Sequence, residues 1–148
     1  MIIFFDTDVL IDHLRDKTGV SQASLLLKLV RDNVVLCYLS VITIAELVVG
    51  AELTGTLTQL RQLLKLFHRK TITSIIAEHG GAIRAASIAQ GREMTLLDAL
   101  VAATAINVGA AHLVTRNVDD YSKRAAKLSV ITPTEALRQL RHKAKAFK

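Results

Sequence analysis

The stretch MIIFFDTDVLIDHLR (residues 1–15) reads as a strand that ends on an acid and turns at once into a helix. Ile2–Phe5 is apolar throughout, too short for a helix and suited to a buried strand. Asp6 ends it. Val9, Leu10, His13 and Leu14 then recur at helical spacing and share one face, and KTG (17–19) breaks that helix.

The same alternation continues outward. SQASLLLKLVRDN (21–33) is a second helix with Ser21 as its cap, and VVLCYLS (34–40) is the next strand. Val41–Leu53 reads as a helix whose end Gly50 and Gly55 loosen. Thr56 starts another, LTQLRQLLKLFHRK, running to Lys70, and TITSI (71–75) is a short strand. Ser74 is the expected cap of IIAEHGGAIRAASIAQ (75–90), where Gly80 and Gly81 each weaken the helix by roughly 1 kcal/mol relative to Ala. GREM (91–94) is a loop. Thr95 caps LLDALVAATAINVG, AAHLVT (110–115) is a fourth strand and KLSVIT (127–132) a fifth. Pro133 opens the final helix at the position where proline is tolerated. Strands alternating with helices imply right-handed crossovers and a parallel sheet covered on both faces. With one Pro, no linker, no low-complexity segment and no repeat, residues 1–148 form a single α/β domain, three layers deep, around four to five parallel strands.

Composition agrees. At 148 residues the chain fits one domain, and 51% hydrophobic residues with 4% aromatics and no Trp require an aliphatic core. That mixture suits helices on a parallel sheet, and the apolar surplus points to surface covered by a partner. The net charge of +6 favours polyanions, nucleic acid first. Part of that excess sits in RQLRHKAKAFK (138–148), which holds five Lys or Arg and no acid. Its apolar stripe is Leu137, Leu140, Ala144 and Phe147, ringed by Arg138, Arg141, Lys143 and Lys145; the stripe reads as core and the basic flank as a guide for an RNA backbone. Cys37 is the only cysteine, so no internal disulfide forms, which fits a reducing, cytoplasmic setting; within VVLCYLS it reads as a core residue. No basic segment precedes the first apolar run, so it is not a signal peptide. Val34–Leu53 and Thr95–Val114 are long and apolar, but each carries polar residues and reads as a strand joined to a helix rather than a membrane span.

Four acids stand in apolar settings: Asp6 after IIFF, Glu46 in VITIAELVVG, Asp98 in TLLDALVAATA and Asp120 in HLVTRNVDDY. A carboxylate amid aliphatic residues needs a cation or hydrogen-bond donors, and carboxylates brought together raise one another's pKa. Strand ends and helix starts share one edge of a parallel sheet, the edge where ligands bind. All four acids fall on that edge, and a bound divalent cation would relieve their repulsion. Oxygen ligands suit Mg²⁺ or Mn²⁺, and the five His show no paired spacing for zinc. Such ions activate water and stabilise a leaving oxygen in phosphodiester hydrolysis. Simpler roles stand beside this: Asp6 as a helix cap, Glu46 as a solvated helix residue, Asp98 as a first-turn charge favoured by the helix dipole, and Asp120 or Asp119 as loop charges.

FFDTDVLIDHLR, SVITIAELVVGA, GREMTLLDALVAATAI and HLVTRNVDDY, in this order and spacing, resemble the PIN-domain nucleases, and among them the VapC-type toxins of toxin–antitoxin pairs. The resemblance covers essentially the whole chain. It implies a PIN-like fold and a Mg²⁺- or Mn²⁺-dependent endoribonuclease that leaves a 3′-hydroxyl and a 5′-phosphate. It maps the metal ligands onto Asp6, Glu46 and Asp98. The family's frequent Asp of the fourth motif is Asn117 here, and Asp120 takes the position used in the TRN-containing branch. It further implies that Thr115 and Asn117 orient water or a phosphate oxygen, that Arg116 grips phosphate, and that Thr7 bonds within the Asp6 network. Asp8, the second acid of DTDVL, reads as an N-cap beside the site. A cognate antitoxin and a homodimer are the implied protein partners.

Two other readings remain. IIFFDTDVLI also resembles the start of the haloacid-dehalogenase phosphatases, with Asp6 as nucleophile, but Leu10 stands where that pattern wants Thr or Val, and TRNVDDY is a poor match to its late acidic motif. A PIN-like module that binds RNA or a partner without cutting is the second. Which RNA is involved is not written in the residues, since backbone electrostatics are sequence-blind.

Overall fold

The computed structural model describes residues 1–121 and 128–146, with side chains in the final helix as far as His142. Five parallel strands form the sheet: β1 (Ile2–Phe5), β2 (Leu36–Ser40), β3 (His68–Lys70), β4 (His112–Val114) and β5 (Val130–Ile131), in the order β3-β2-β1-β4-β5. The helices are α1 (Thr7–Arg15), α2 (Gln22–Arg31), α3 (Val41–Thr54), α4 (Leu57–Leu64), α5 (Ser74–Ala89), α6 (Leu96–Asn107) and α7 (Pro133–Ala146), with a 3₁₀ turn at Val118–Asp120.

Side chains alternate across the pleat, and this sorts the core into two halves. Ile3, Phe5, Cys37, Leu39, Val114 and Ile131 face α1–α4 and α7, whereas Phe4, Leu113 and Val130 face α5 and α6. The result is the expected three-layer α/β/α domain. Burial pushes the Cys37 thiol up, which suits an inert core residue. Gly80 lets α5 and α6 approach: a Cβ there would lie 2.7 Å from Leu100 Cδ2. On α7, Leu137 and Leu140 are buried and Arg138 and Arg141 exposed; the side chains of Lys143, Ala144, Lys145 and Phe147 lie outside the described residues, as does Lys127 of the expected fifth strand.

The two long apolar stretches resolve into β2 plus α3 and α6 plus β4, and among the described residues no helix is long and apolar enough to cross a membrane. Two boundaries differ from expectation. The helix from Thr56 ends at Leu64, where Leu66 and Phe67 N–H groups bond three residues back, and the third strand is HRK (68–70), not TITSI. HRK has no apolar pattern, but β3 is an edge strand, where basic residues are tolerated and discourage further pairing. The cap of α5 is Thr73, whose Oγ1 accepts the Ile76 N–H at 3.3 Å, so Ser74 is the first helical residue.

β1 is followed on one side by β2 and β3, and on the other by β4 and β5. The strand order therefore switches between β1 and β4, and a crevice opens at their carboxyl ends. The Asp6 N–H bonds the Val114 carbonyl at 3.0 Å and ties the end of β1 to that of β4.

Candidate active site

Asp6 leaves β1 and caps α1, the simpler role read for it, whereas Asp8, read as an N-cap, lies in the first turn of that helix. The Asp6 Oδ1 accepts the Thr7 N–H at 2.8 Å and its Oδ2 accepts the Tyr121 hydroxyl at 2.8 Å. Burial raises the Asp6 pKa from 3.8 to about 6; the bonds from Thr7, Tyr121 and Thr115 oppose the rise and the Asp8 charge adds to it. The Thr7 hydroxyl donates to Glu46 Oε2, which connects α1 to α3. Asp98 stands in the first turn of α6, accepts the Thr95 hydroxyl at 2.6 Å and donates its own N–H to Thr95 Oγ1 at 3.1 Å, a reciprocal helix cap.

Tyr121 joins these pieces. Burial, then the charges of Asp6, Asp98 and Asp8, push its phenol far above the usual tyrosine range. It therefore stays protonated and donates. Among the described residues Asp6 alone bonds the phenol, which also feels the charges of Asp98 and Asp8, and Glu46 is linked to the Asp6 cap through Thr7.

Asp8 lies within this network. Its Oδ2 accepts the Thr115 hydroxyl at 3.0 Å and the Arg116 N–H at 2.9 Å, while Oδ1 is buried with no hydrogen-bond partner. Thr115, at the end of β4, is fully buried, and its Oγ1 also accepts the Asn117 N–H at 3.1 Å. The Arg116 guanidinium is half exposed and lies 3.1 Å from Asp12 and 3.9 Å from Asp8.

The four acids are not equivalent. Asp6 and Asp98 are half-buried, whereas Glu46, Asp119 and Asp120 are exposed, so the cost of burying a charge among aliphatic residues falls on Asp6. Asp120 sits on the 3₁₀ turn, donates its N–H to the Asn117 carbonyl at 3.0 Å, and lines a cleft of about 180 Å³ with Asp119, Arg92, Glu93 and Met94. Among the described residues no hydrogen bond joins its carboxylate to Asp6, Glu46 or Asp98. Sequence reasoning missed Tyr121 and Asp12. Nothing local marks them; only a distant partner gives each a role.

Among the described residues, no three His, Cys, Asp or Glu side chains stand close enough to grip one ion together. A Mg²⁺-class ion does not require that, because it keeps several waters and takes one or two carboxylates. The donors at the crevice are hard carboxylate oxygens, among them the orphaned Asp8 Oδ1, and one or two of them with water match the donor type of such an ion; among the described residues no His or Cys cluster suited to zinc is found.

The PIN domain family model matches residues 3–128. Among solved structures, one described as FitAcB from Neisseria gonorrhoeae is 26% identical with a TM-score of 0.71, covering 88% of this chain and 97% of that one. A toxin–antitoxin complex from Klebsiella pneumoniae is 28% identical with a TM-score of 0.70, covering 88% and 97%. VapBC2 from Rickettsia felis, bound to a promoter DNA fragment, reaches 0.75 at 22% identity, covers 89% and 98%, and speaks for the fold alone. No curated protein matches the chain. A parallel sheet in this order, with Asp6 and Asp8 at the β1/β4 switch point, and a family match spanning most of the sequence lead to one assignment: the chain belongs to the PIN domain family.

Proposed function

We propose that this chain is a Mg²⁺- or Mn²⁺-dependent endoribonuclease, and that it is the cytoplasmic toxin of a toxin–antitoxin pair. The observation that carries the reading is the partly buried Asp6 carboxylate at the switch-point crevice, held by Tyr121 and Thr7, with Thr7 also bonded to Glu46 and with Asp8 bonded to Thr115 and Arg116 at the end of β4. In this reading Asp6 and Asp98 hold the ion, with Glu46 on the α3 side and Asp120 on the rim as third and fourth acids. When bound, the ion supplies activation of water and neutralisation of charge on the phosphodiester. The protein's own contribution is positioning. Tyr121 and the Thr7 N–H each hold one oxygen of Asp6, and the Thr7 hydroxyl holds Glu46. Thr115 and Asn117 shape the floor of the crevice, and Arg116 offers a planar fork to a phosphate that displaces Asp12.

An antitoxin partner and a homodimer belong to the same reading. The neighbouring toxin–antitoxin complex from Klebsiella pneumoniae supports the first. So does a groove of about 310 Å³ between α1 and α3, lined by Ile11, Leu14, Leu47 and Ala51 and opening on Glu46. A partner segment lying there covers exposed apolar surface and obstructs the site.

The test is cleavage of a mixed RNA substrate with Mg²⁺, with EDTA, and by D6N and D98N purified identically. Wild type should cut only with the metal. The variants should lose more than the roughly 100-fold typical of outer-shell partners. Equal cutting by all three proteins indicates a contaminating nuclease and overturns the site. RNA binding without cleavage in Mg²⁺, and again when Mn²⁺ replaces it, establishes the non-catalytic module instead.

A further inference from the structure

Two grooves run away from the crevice along the side where α2 meets α7. The first, about 470 Å³, is lined by Arg116, Asp12, Arg15, Asp16 and Thr132 among others. The second, about 430 Å³, is lined by Leu25, Leu137, Arg138, Arg141 and His142. Gln22 and Thr134 line both, so the two grooves adjoin and together make a path along this side, the α2–α7 channel. It begins at Arg116, whose own backbone bonds Asp8 at the candidate site.

The channel's charge is uneven in a useful way. Its carboxylates are already engaged: Asp16 accepts from Thr18, Gly19, Ser21 and Ser24, and Asp12 holds Arg116. Arg138 faces Glu135 at 3.6 Å, a solvated pair worth little. Arg15 and Arg141 are exposed and have no carboxylate partner among the described residues. Arg15, which also borders the α1–α3 groove, and Arg141 thus offer two guanidinium groups, neither paired with a carboxylate among the described residues, along a path that starts at the candidate site, where the next phosphates of a strand would lie.

We propose that the α2–α7 channel is a substrate subsite that holds the single-stranded RNA backbone beyond the scissile phosphate, with Arg15 and Arg141 as its phosphate anchors. This rests on the ribonuclease reading and names where its substrate lies. The contacts are to backbone, so the subsite adds affinity and register without selecting bases. Each phosphate contact on a single strand contributes about 0.7 to the salt slope, equivalent to about fivefold in affinity at 0.1 M salt.

The experiment measures binding of a fluorescent oligouridylate to the D98N protein by anisotropy across a KCl series. R15Q and R141Q together, in that background, should weaken binding about 25-fold at 0.1 M salt and lower the slope by about 1.4. R61Q and R69Q together remove the same charge from α4 and β3 and should have far less effect. Far-UV circular dichroism checks that each protein is folded. Equal losses in the two double variants mean that only net charge matters and overturn the proposal. So does an unchanged oligouridylate affinity, and if poly-glutamate binding is lost in its place, the channel receives an acidic protein segment. Wild-type cleavage is measured in parallel. If wild type cuts and the groove variants bind like their parent, the channel fails and the ribonuclease reading stands; if wild type neither cuts nor binds RNA, both fail.

Discussion

Replacing Asp6 by Asn should stabilise the metal-free protein, and only above a defined pH. Burial lifts the Asp6 pKa from 3.8 to about 6. The folded protein therefore binds this proton more tightly than the unfolded chain does. The penalty for ionising Asp6 in the fold is absent below about pH 4, grows between pH 4 and 6, and is complete above that. At about 1.4 kcal/mol per pH unit, the displacement is about 3 kcal/mol. Asn reproduces the protonated acid. Its oxygen can take the Thr7 N–H, its NH₂ can donate to the Tyr121 oxygen, and Asn caps helices as well as Asp does. In EDTA, D6N should therefore match wild type at pH 4 and exceed it by about 3 kcal/mol at pH 7–8, a rise in Tm of roughly 6–12 °C for a domain of this size. The chain has no Trp, so urea and thermal unfolding are followed by far-UV circular dichroism. Added Mg²⁺ should then raise the Tm of wild type and leave D6N unmoved. Stability curves that run parallel from pH 4 to 8, or a wild type more stable than D6N at pH 8 in EDTA, would refute the buried-charge argument.

Tyr121→Phe removes the donor on Asp6 Oδ2 and should cost about 1.5–3 kcal/mol at pH 8, as expected for a bond to a charged group; in the D6N background the cost should shrink, and a double-mutant cycle by urea titration measures the difference. Gly80 and Gly81 should respond oppositely to Ala. Gly81→Ala meets nothing within 4 Å and should gain about 0.5–1 kcal/mol, whereas Gly80→Ala drives a methyl to 2.7 Å from Leu100 Cδ2 and 3.3 Å from its Cα, so α5 and α6 must separate and Tm should fall.

How far the chain can be read without coordinates follows the range of the forces. The β1–α1 turn at Asp6, the caps Ser21 and Thr95, and Pro133 at the start of α7 depend on near neighbours: a periodic apolar face, a side-chain oxygen within three residues, a missing N–H where none is needed. Those alone establish an α/β alternation and set Asp6, Glu46, Asp98 and the Thr115–Asn117 segment at one rim. Long-range pairing decides the rest. HRK becomes a strand because β2 offers it an edge, although its own pattern does not ask for one. The order β3-β2-β1-β4-β5 sets the crevice between β1 and β4 and carries Tyr121 to Asp6 across 115 positions and Thr115 to Asp8 across 107. It also gives the acids unequal burial, hiding Asp6 and leaving Glu46 and Asp120 in solvent. Local propensity reaches only a few residues along the chain, so which groups meet, and how dry they are when they do, is settled by the crossovers that stack the helices on the sheet.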